Sequence, residues 1–232
     1  MALDIQRIKA ICFDIDGTLS DTDDLYIQKV LPFVRPFRWL SPKKEPAFLA
    51  RRLVMNMETP GNNLYHLLDR FGMDALAGKV YSRINRAMKP RSLKKFMIVP
   101  GTEQVLETLE QHFPLAVVSA GSHTSIFGFL EAFSIRPRFK AIATSQTCEY
   151  TKPFPHPVIW AAQQMDVDPA NCLMVGDTVV DIRAGKAAGA QTVGVLCGFG
   201  EENELRRAGA DLIVNSPLDL LEDLRLSSSS KV

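Results

Sequence analysis

The chain has 232 residues, 46% hydrophobic and 23% charged, with a formal net charge of +1. This composition is that of a soluble globular protein rather than a disordered chain, and the length allows one ordinary core with room for a sizeable insertion. No run approaches the roughly 18–20 uninterrupted apolar residues that a membrane helix needs.

Residues 1–10 lack a signal-peptide layout, and the apolar run that follows ends in two carboxylates. That run reads Ile-Cys-Phe-Asp-Ile-Asp-Gly-Thr-Leu over residues 11–19. Its β-branched content and length predict a buried strand, in which Asp14 and Asp16 would share a face. Two such carboxylates repel unless a cation or a shared proton compensates, so the pair is a hard-metal site, an acid/base pair, or both.

Residues 21–95 change character. Pro32, Pro36, Pro42, Pro46 and Pro60 break helix-type segments, among them Leu64, Leu67, Leu68 and Phe71, then Val80, Ile84 and Met88. Residues 20–98 carry 15 Lys/Arg against 7 Asp/Glu, a balance of +8, and the remainder 12 against 19, a balance of −7. Two modules of opposite sign follow.

After Val99-Pro100-Gly101, helical and strand-like runs alternate. Helices are predicted at 102–111, 125–132, 156–165, 181–188 and 202–208. Strands are predicted at 115–119, 141–143, 172–176, 192–196 and 212–214. The alternation predicts an α/β fold, a Rossmann-like three-layer core with a parallel sheet. The expected domains are a core of residues 1–20 and 96–226, an inserted helical cap of residues 21–95 after the first strand, and a frayed tail at 227–232.

Ligands of open parallel sheets bind beyond the carboxyl ends of the strands. There the chain places Asp14 and Asp16, then Ser119-Ala120-Gly121, then Lys152-Pro153, then Gly176-Asp177-Thr178 with Asp181 four residues past Asp177. Oxygen-rich ligands suit Mg²⁺, and a lysine with backbone donors suits a phosphate. The combination points to phosphoryl chemistry.

These pieces, in this order, resemble the haloacid dehalogenase superfamily of phosphohydrolases. The resemblance rests on DIDGTL at 14–19, the strand ending at Ser119, Lys152-Pro153 and GDTVVD at 176–181. Ala-Gly-Ala at 188–190 and Gly-Phe-Gly at 198–200 further resemble its phosphoglycolate-phosphatase-like branch, in which a helical cap follows the first motif.

The resemblance implies that Asp14 is the nucleophile, forming an aspartyl-phosphate, and that Asp16 is the general acid and then the base. It implies Mg²⁺ held by the Asp14 carboxylate, the Asp16 main-chain carbonyl and Asp177, with Asp181 assisting. Ser119, the Ala120 N–H and Lys152 would hold the phosphoryl oxygens, and Thr18 would support the nucleophile loop. An aspartate at position 16 favours a phosphate ester, since dehalogenase and phosphonatase members lack one there. Many relatives carry a polar residue where this chain has Ala120, so side-chain help in orienting substrate is lost.

Other features read more plainly. The four cysteines, Cys12, Cys148, Cys172 and Cys197, form no CxxC pair, so reduced thiols and a cytoplasmic setting are expected. His66, His112, His123 and His156 read as packing or surface residues, with His123 near the second motif. Met55 and Met57, with Leu64 and Phe71, read as cap core. Arg35, Arg38, Arg51 and Arg52 form either a solvated basic face or a means of attracting an anionic substrate.

The expected function is a Mg²⁺-dependent phosphatase of a small phosphomonoester, phosphoglycolate-like or a sugar phosphate. The alternatives are a β-phosphoglucomutase-like phosphotransferase and a regulatory protein that only binds phosphorylated ligands. The expected partner is a small phosphorylated metabolite, with no nucleic acid and no membrane, and the chain is expected as a monomer or homodimer.

Overall fold

The computed structural model of the chain describes residues 3–21, 31–36 and 96–226. Of the expected cap, only residue 21 and residues 31–36 are described, residues 31–34 forming one helical turn. His66, Arg38, Arg51, Arg52 and the Met55/Met57 pair lie outside the described residues, as does the tail at 227–232.

Among the described residues, twelve strands and α-helices carry the core. They are β1 (Ala10–Phe13), α1 (Thr102–Leu109), β2 (Leu115–Val118), α2 (His123–Ala132), β3 (Phe139–Ala143) and α3 (His156–Gln164), followed by β4 (Cys172–Gly176), α4 (Val179–Ala187), β5 (Gln191–Val195), α5 (Glu202–Ala208), β6 (Leu212–Val214) and α6 (Leu220–Asp223). The strands form one parallel sheet in the order β3-β2-β1-β4-β5-β6. The chain builds outward from β1 on one side, then crosses to begin again at β4 on the other. The crevice between the carboxyl ends of β1 and β4 is therefore the topological switch point, where such sheets bind ligands. Phe13 pairs with both Val117 and Val175, so the exits of β2, β1 and β4 lie level.

Both faces of the sheet are covered, which explains why its strands read as continuous apolar runs. Ile11 and Phe13 point to one face and pack with Val105, Leu106 and Leu109 of α1, Ile126, Phe129 and Leu130 of α2, and Leu220 and Leu221 of α6. Ala10 and Cys12 point to the other face, with Ala116, Ala141 and Ala143 against Val158, Ala161 and Ala162 of α3 and Ala184 of α4. That second face is rich in alanine, and Gly185 lets α4 approach the sheet so closely that a Cβ there would fall 2.6 Å from Thr192 Cγ2. The three-layer architecture expected from the alternation is present.

Boundaries moved where capping decides them. Helix α2 starts at His123, two residues before expectation, because the Ser122 hydroxyl accepts from Ser125 N–H at 3.3 Å and fixes the start. Helix α4 starts at Val179 rather than Asp181, since Thr178 and Asp181 form a capping box that places Asp181 inside the first turn. Strand β3 begins at Phe139, straight after a 3₁₀ turn over Arg136–Arg138, and Phe139 pairs with Leu115. Helix α6 was not expected at all. Its four residues are too short for periodicity to reveal.

The chain leaves the core and returns to it at one place. Ser20 bridges Ile98 in antiparallel fashion, Asp21 N–H donates to Met97 O at 2.9 Å, and Val99 N–H donates to Leu19 O at 2.9 Å. Both junctions of the segment between lie just past the exit of β1. Among the described residues no helix is long and apolar enough to cross a membrane. All four cysteines are free thiols, with Cys12 and Cys172 buried and Cys148 and Cys197 half-buried.

Candidate active site

Asp14 is the first residue beyond β1, buried, with its N–H donating to Val175 O at 2.9 Å. The strand thus ends before the aspartates, and Asp14 and Asp16 sit on a turn rather than on one strand face. Three N–H groups, of Thr18, Leu19 and Ser20, converge on the Ile15 carbonyl at 3.1, 2.9 and 2.8 Å and curl the segment tightly. Gly17 makes this possible with φ of +81°, and a Cβ there would fall 2.3 Å from Asp177 Oδ2. Only glycine fits.

Lys152 enters from the loop after β3. Its Nζ lies 2.8 Å from Asp14 Oδ1 and 2.6 Å from Asp181 Oδ1. Asp181 reaches back from α4, and its other oxygen accepts from Thr178 N–H at 2.9 Å and Thr178 Oγ at 2.6 Å. Asp181 thus caps the start of α4 through one oxygen and meets Lys152 through the other. Asp177, one residue past β4 and fully buried, accepts from Phe199 N–H at Oδ2 (2.8 Å) and from Thr18 Oγ at Oδ1 (3.4 Å).

Asp14, Asp177 and Asp181 each bring one carboxylate oxygen within 4.8 Å of the others. With all three carboxylates ionised, the single Lys152 ammonium would leave two negative charges in a buried space. Burial, the largest effect, pushes Asp14 up to about 7, opposed by Lys152 and reinforced by Asp181 and, least, by Asp16. Burial likewise pushes Asp177 well above the ordinary range, with Asp181 and Asp14 adding to it. Burial alone would lower the Lys152 pKa, but Asp14 and Asp181 together raise it, so the lysine is held as a cation. Hard oxygen donors whose full ionisation would leave two uncompensated charges fit a divalent cation such as Mg²⁺. The Asp16 side chain is not one of the converging carboxylates.

Ser119 and Ala120 stand at the neighbouring exit of β2. Ser119 is buried, its N–H donating to Ala143 O at 3.0 Å and its hydroxyl accepting from Gly121 N–H at 3.0 Å. Direct bonds therefore join Lys152 to Asp14 and Asp181, and Thr18 to Asp177, and the three carboxylates bring these two sets together within 4.8 Å, while Ser119 and Ala120 share the sheet edge without bonding to either set. His112, His123 and His156 are exposed, and His123 stacks on Phe127 with ring centroids 4.0 Å apart.

One participant escaped the sequence reading. The loop after β5 supplies the Phe199 N–H to Asp177, and the Cys197 thiol donates to Gly17 O at 3.3 Å. Glycines on both sides of Phe199 were the available signal.

The chain matches the family of haloacid dehalogenase-like hydrolases over residues 11–195. It is 28% identical over 222 residues to a protein of Anoxybacillus flavithermus named pyrophosphatase PpaX, covering 96% of this chain and 99% of that one. It is 24% identical to a protein of Nitrosococcus oceani named phosphoglycolate phosphatase, covering 93% of this chain and 96% of that one. Among solved structures it is similar to a hydrolase from Pseudomonas syringae, with a TM-score of 0.64, 24% identity, and 95% and 100% of the two chains covered.

Proposed function

We propose that this chain, which belongs to the haloacid dehalogenase-like hydrolase family, is a Mg²⁺-dependent phosphatase of a small phosphorylated metabolite. The observation that carries the reading is the buried Lys152 ammonium held 2.8 Å from Asp14 Oδ1 and 2.6 Å from Asp181 Oδ1, beside Asp177. A cation placed against a buried carboxylate at the mouth of a parallel sheet suits transfer of an anionic group to that carboxylate.

In this reading an Asp14 carboxylate oxygen attacks phosphorus, and the bond from phosphorus to the ester oxygen breaks. Asp16 gives its proton to the departing oxygen. Asp16, now ionised, takes a proton from water as that water attacks the aspartyl-phosphate, which releases phosphate and restores Asp14. Lys152, the Ala120 N–H and the Ser119 hydroxyl hold the phosphoryl oxygens, and Thr18 braces the turn against Asp177. The Asp14 carboxylate, the Asp16 main-chain carbonyl and Asp177, with Asp181 assisting, would hold the Mg²⁺. When bound, the ion supplies the positive charge that lets an anionic carboxylate approach an anionic phosphate.

Phosphoglycolate-like esters and sugar phosphates are the proposed substrates, and the pyrophosphatase name of one relative adds pyrophosphate to the candidates. The inserted segment at 21–95 is the proposed specificity cap, because both its junctions lie at the exit of β1. Four free thiols suit a reducing compartment, so the cytoplasm is the proposed setting. The test is phosphate release from a panel of small phosphate esters and pyrophosphate with Mg²⁺, comparing wild type with Asp14→Asn. Turnover by wild type and none by the variant is expected. Equal turnover would remove Asp14 as the nucleophile, and transfer between sugar phosphates without phosphate release would favour the phosphotransferase.

A further inference from the structure

The loop after β5 encloses the most deeply buried carboxylate of the site. Phe199 N–H donates to Asp177 Oδ2 at 2.8 Å. A Cβ on Gly198 would fall 2.1 Å from that same oxygen and 2.4 Å from Gly17 O, and one on Gly200 would fall 1.9 Å from the Asp177 carbonyl. The Cys197 thiol donates to Gly17 O at 3.3 Å. Four consecutive residues therefore touch Asp177 on one side and the Asp14–Ser20 turn on the other.

We propose that Cys197–Gly200 is a positioning element that orients the Asp177 carboxylate and ties it to the turn carrying Asp14, and that it thereby sets the affinity of the site for a divalent cation. The inference rests on the reading of this site as a divalent-cation site. A carboxylate turns freely about its Cβ–Cγ bond until something holds one oxygen. Here the Phe199 N–H holds Oδ2, which leaves Oδ1, touched among the described residues only by the long 3.4 Å contact from Thr18, with lone pairs to offer. An ion then meets a donor already aimed, with little ordering left to be done.

The donor is a main-chain N–H, so changing the Phe199 side chain does not remove it. Displacing the loop does. A methyl group on Gly198 cannot share space with Asp177 Oδ2, so Gly198→Ala must move the loop or turn the carboxylate. Cys197→Ala removes the tie to Gly17 O without adding bulk, and Cys197→Ser restores a donor.

The test is calorimetric titration of Mg²⁺ and Mn²⁺ into the full chain stripped by chelator, with melting temperatures measured in chelator alongside. Gly198→Ala should bind about 10–100-fold more weakly, the range for groups that orient metal ligands. Cys197→Ala should bind more weakly than wild type, with affinity recovered in Cys197→Ser. A purely structural role would instead lower the melting temperature and leave the dissociation constants alone. If Gly198→Ala does not fold, the Cys197 pair decides. Wild-type affinity in Cys197→Ala, or in a folded Gly198→Ala, overturns the inference while leaving the cation site standing. No binding by wild type removes the cation site, and the inference with it.

Discussion

Lys152 and Asp14 form a buried ion pair, Nζ to Oδ1 at 2.8 Å, and the same ammonium reaches Asp181 at 2.6 Å. The lysine stands between a residue from the exit of β1 and one from the first turn of α4. It offsets part of a charge that burial alone would make costly. Asp14, the nucleophile in the proposed chemistry, is thus oriented by a cation that would also meet the incoming phosphate.

Replacing Lys152 by Met should leave the carboxylates without their ammonium and lower turnover by about 100-fold or more, the scale for losing one transition-state donor. Steady-state phosphate release with saturating Mg²⁺ measures it. Turnover within a few-fold of wild type would show that Lys152 has no part in the reaction.

Asp14→Asn should abolish turnover without lowering the melting temperature in chelator. The substitution removes a carboxyl that burial pushes up to about 7 and leaves Lys152 paired with Asp181. A large loss of thermal stability would mean that the Asp14–Lys152 pair holds the fold as well as the chemistry.

Without metal, stability should fall as pH rises from about 4 toward 7 and beyond. Asp14 and Asp177 have raised pKa values in the folded chain, Asp14 moving from 3.8 to about 7. Over that window the folded state keeps protons that the unfolded chain has released, so stability is full below the unfolded value and is lost on the way up. Mg²⁺, proposed to bind the ionised carboxylates, should raise the melting temperature more at pH 7.5 than at pH 5. An increment equal at both pH values would count against cation binding by these aspartates.

Asp211 should act in the opposite sense. Burial would raise its pKa, but the Lys186 ammonium at 2.5 Å and the Thr192 N–H at 2.8 Å outweigh that and lower it. Its contribution is present above the unfolded value and disappears as pH falls through the lower folded one. Asp211→Asn should therefore flatten the loss of stability on the acid side of pH 4 and leave the chelator-sensitive change above it untouched. Melting curves from pH 2.5 to 8 separate the two.

The sequence by itself determined the alternation of elements, the parallel three-layer sheet, and the identities of Asp14, Lys152, Asp177 and Asp181. Each of these is a local signal, an apolar run or a charged side chain in the segment that follows a strand, and the rule that parallel sheets bind at their carboxyl ends collects them. Tertiary structure alone decided how they are shared. Asp14 is governed first by burial, Lys152 and Asp181, and only last by Asp16, two residues away in the chain. Asp177 owes its orientation to Phe199, which lies 22 residues on. Such relations depend on which strand exits lie level across the sheet, a matter of register and crossover that no local pattern encodes. The short helix at Leu220–Asp223 was hidden for a related reason, since its leucines are fixed by the core they fill.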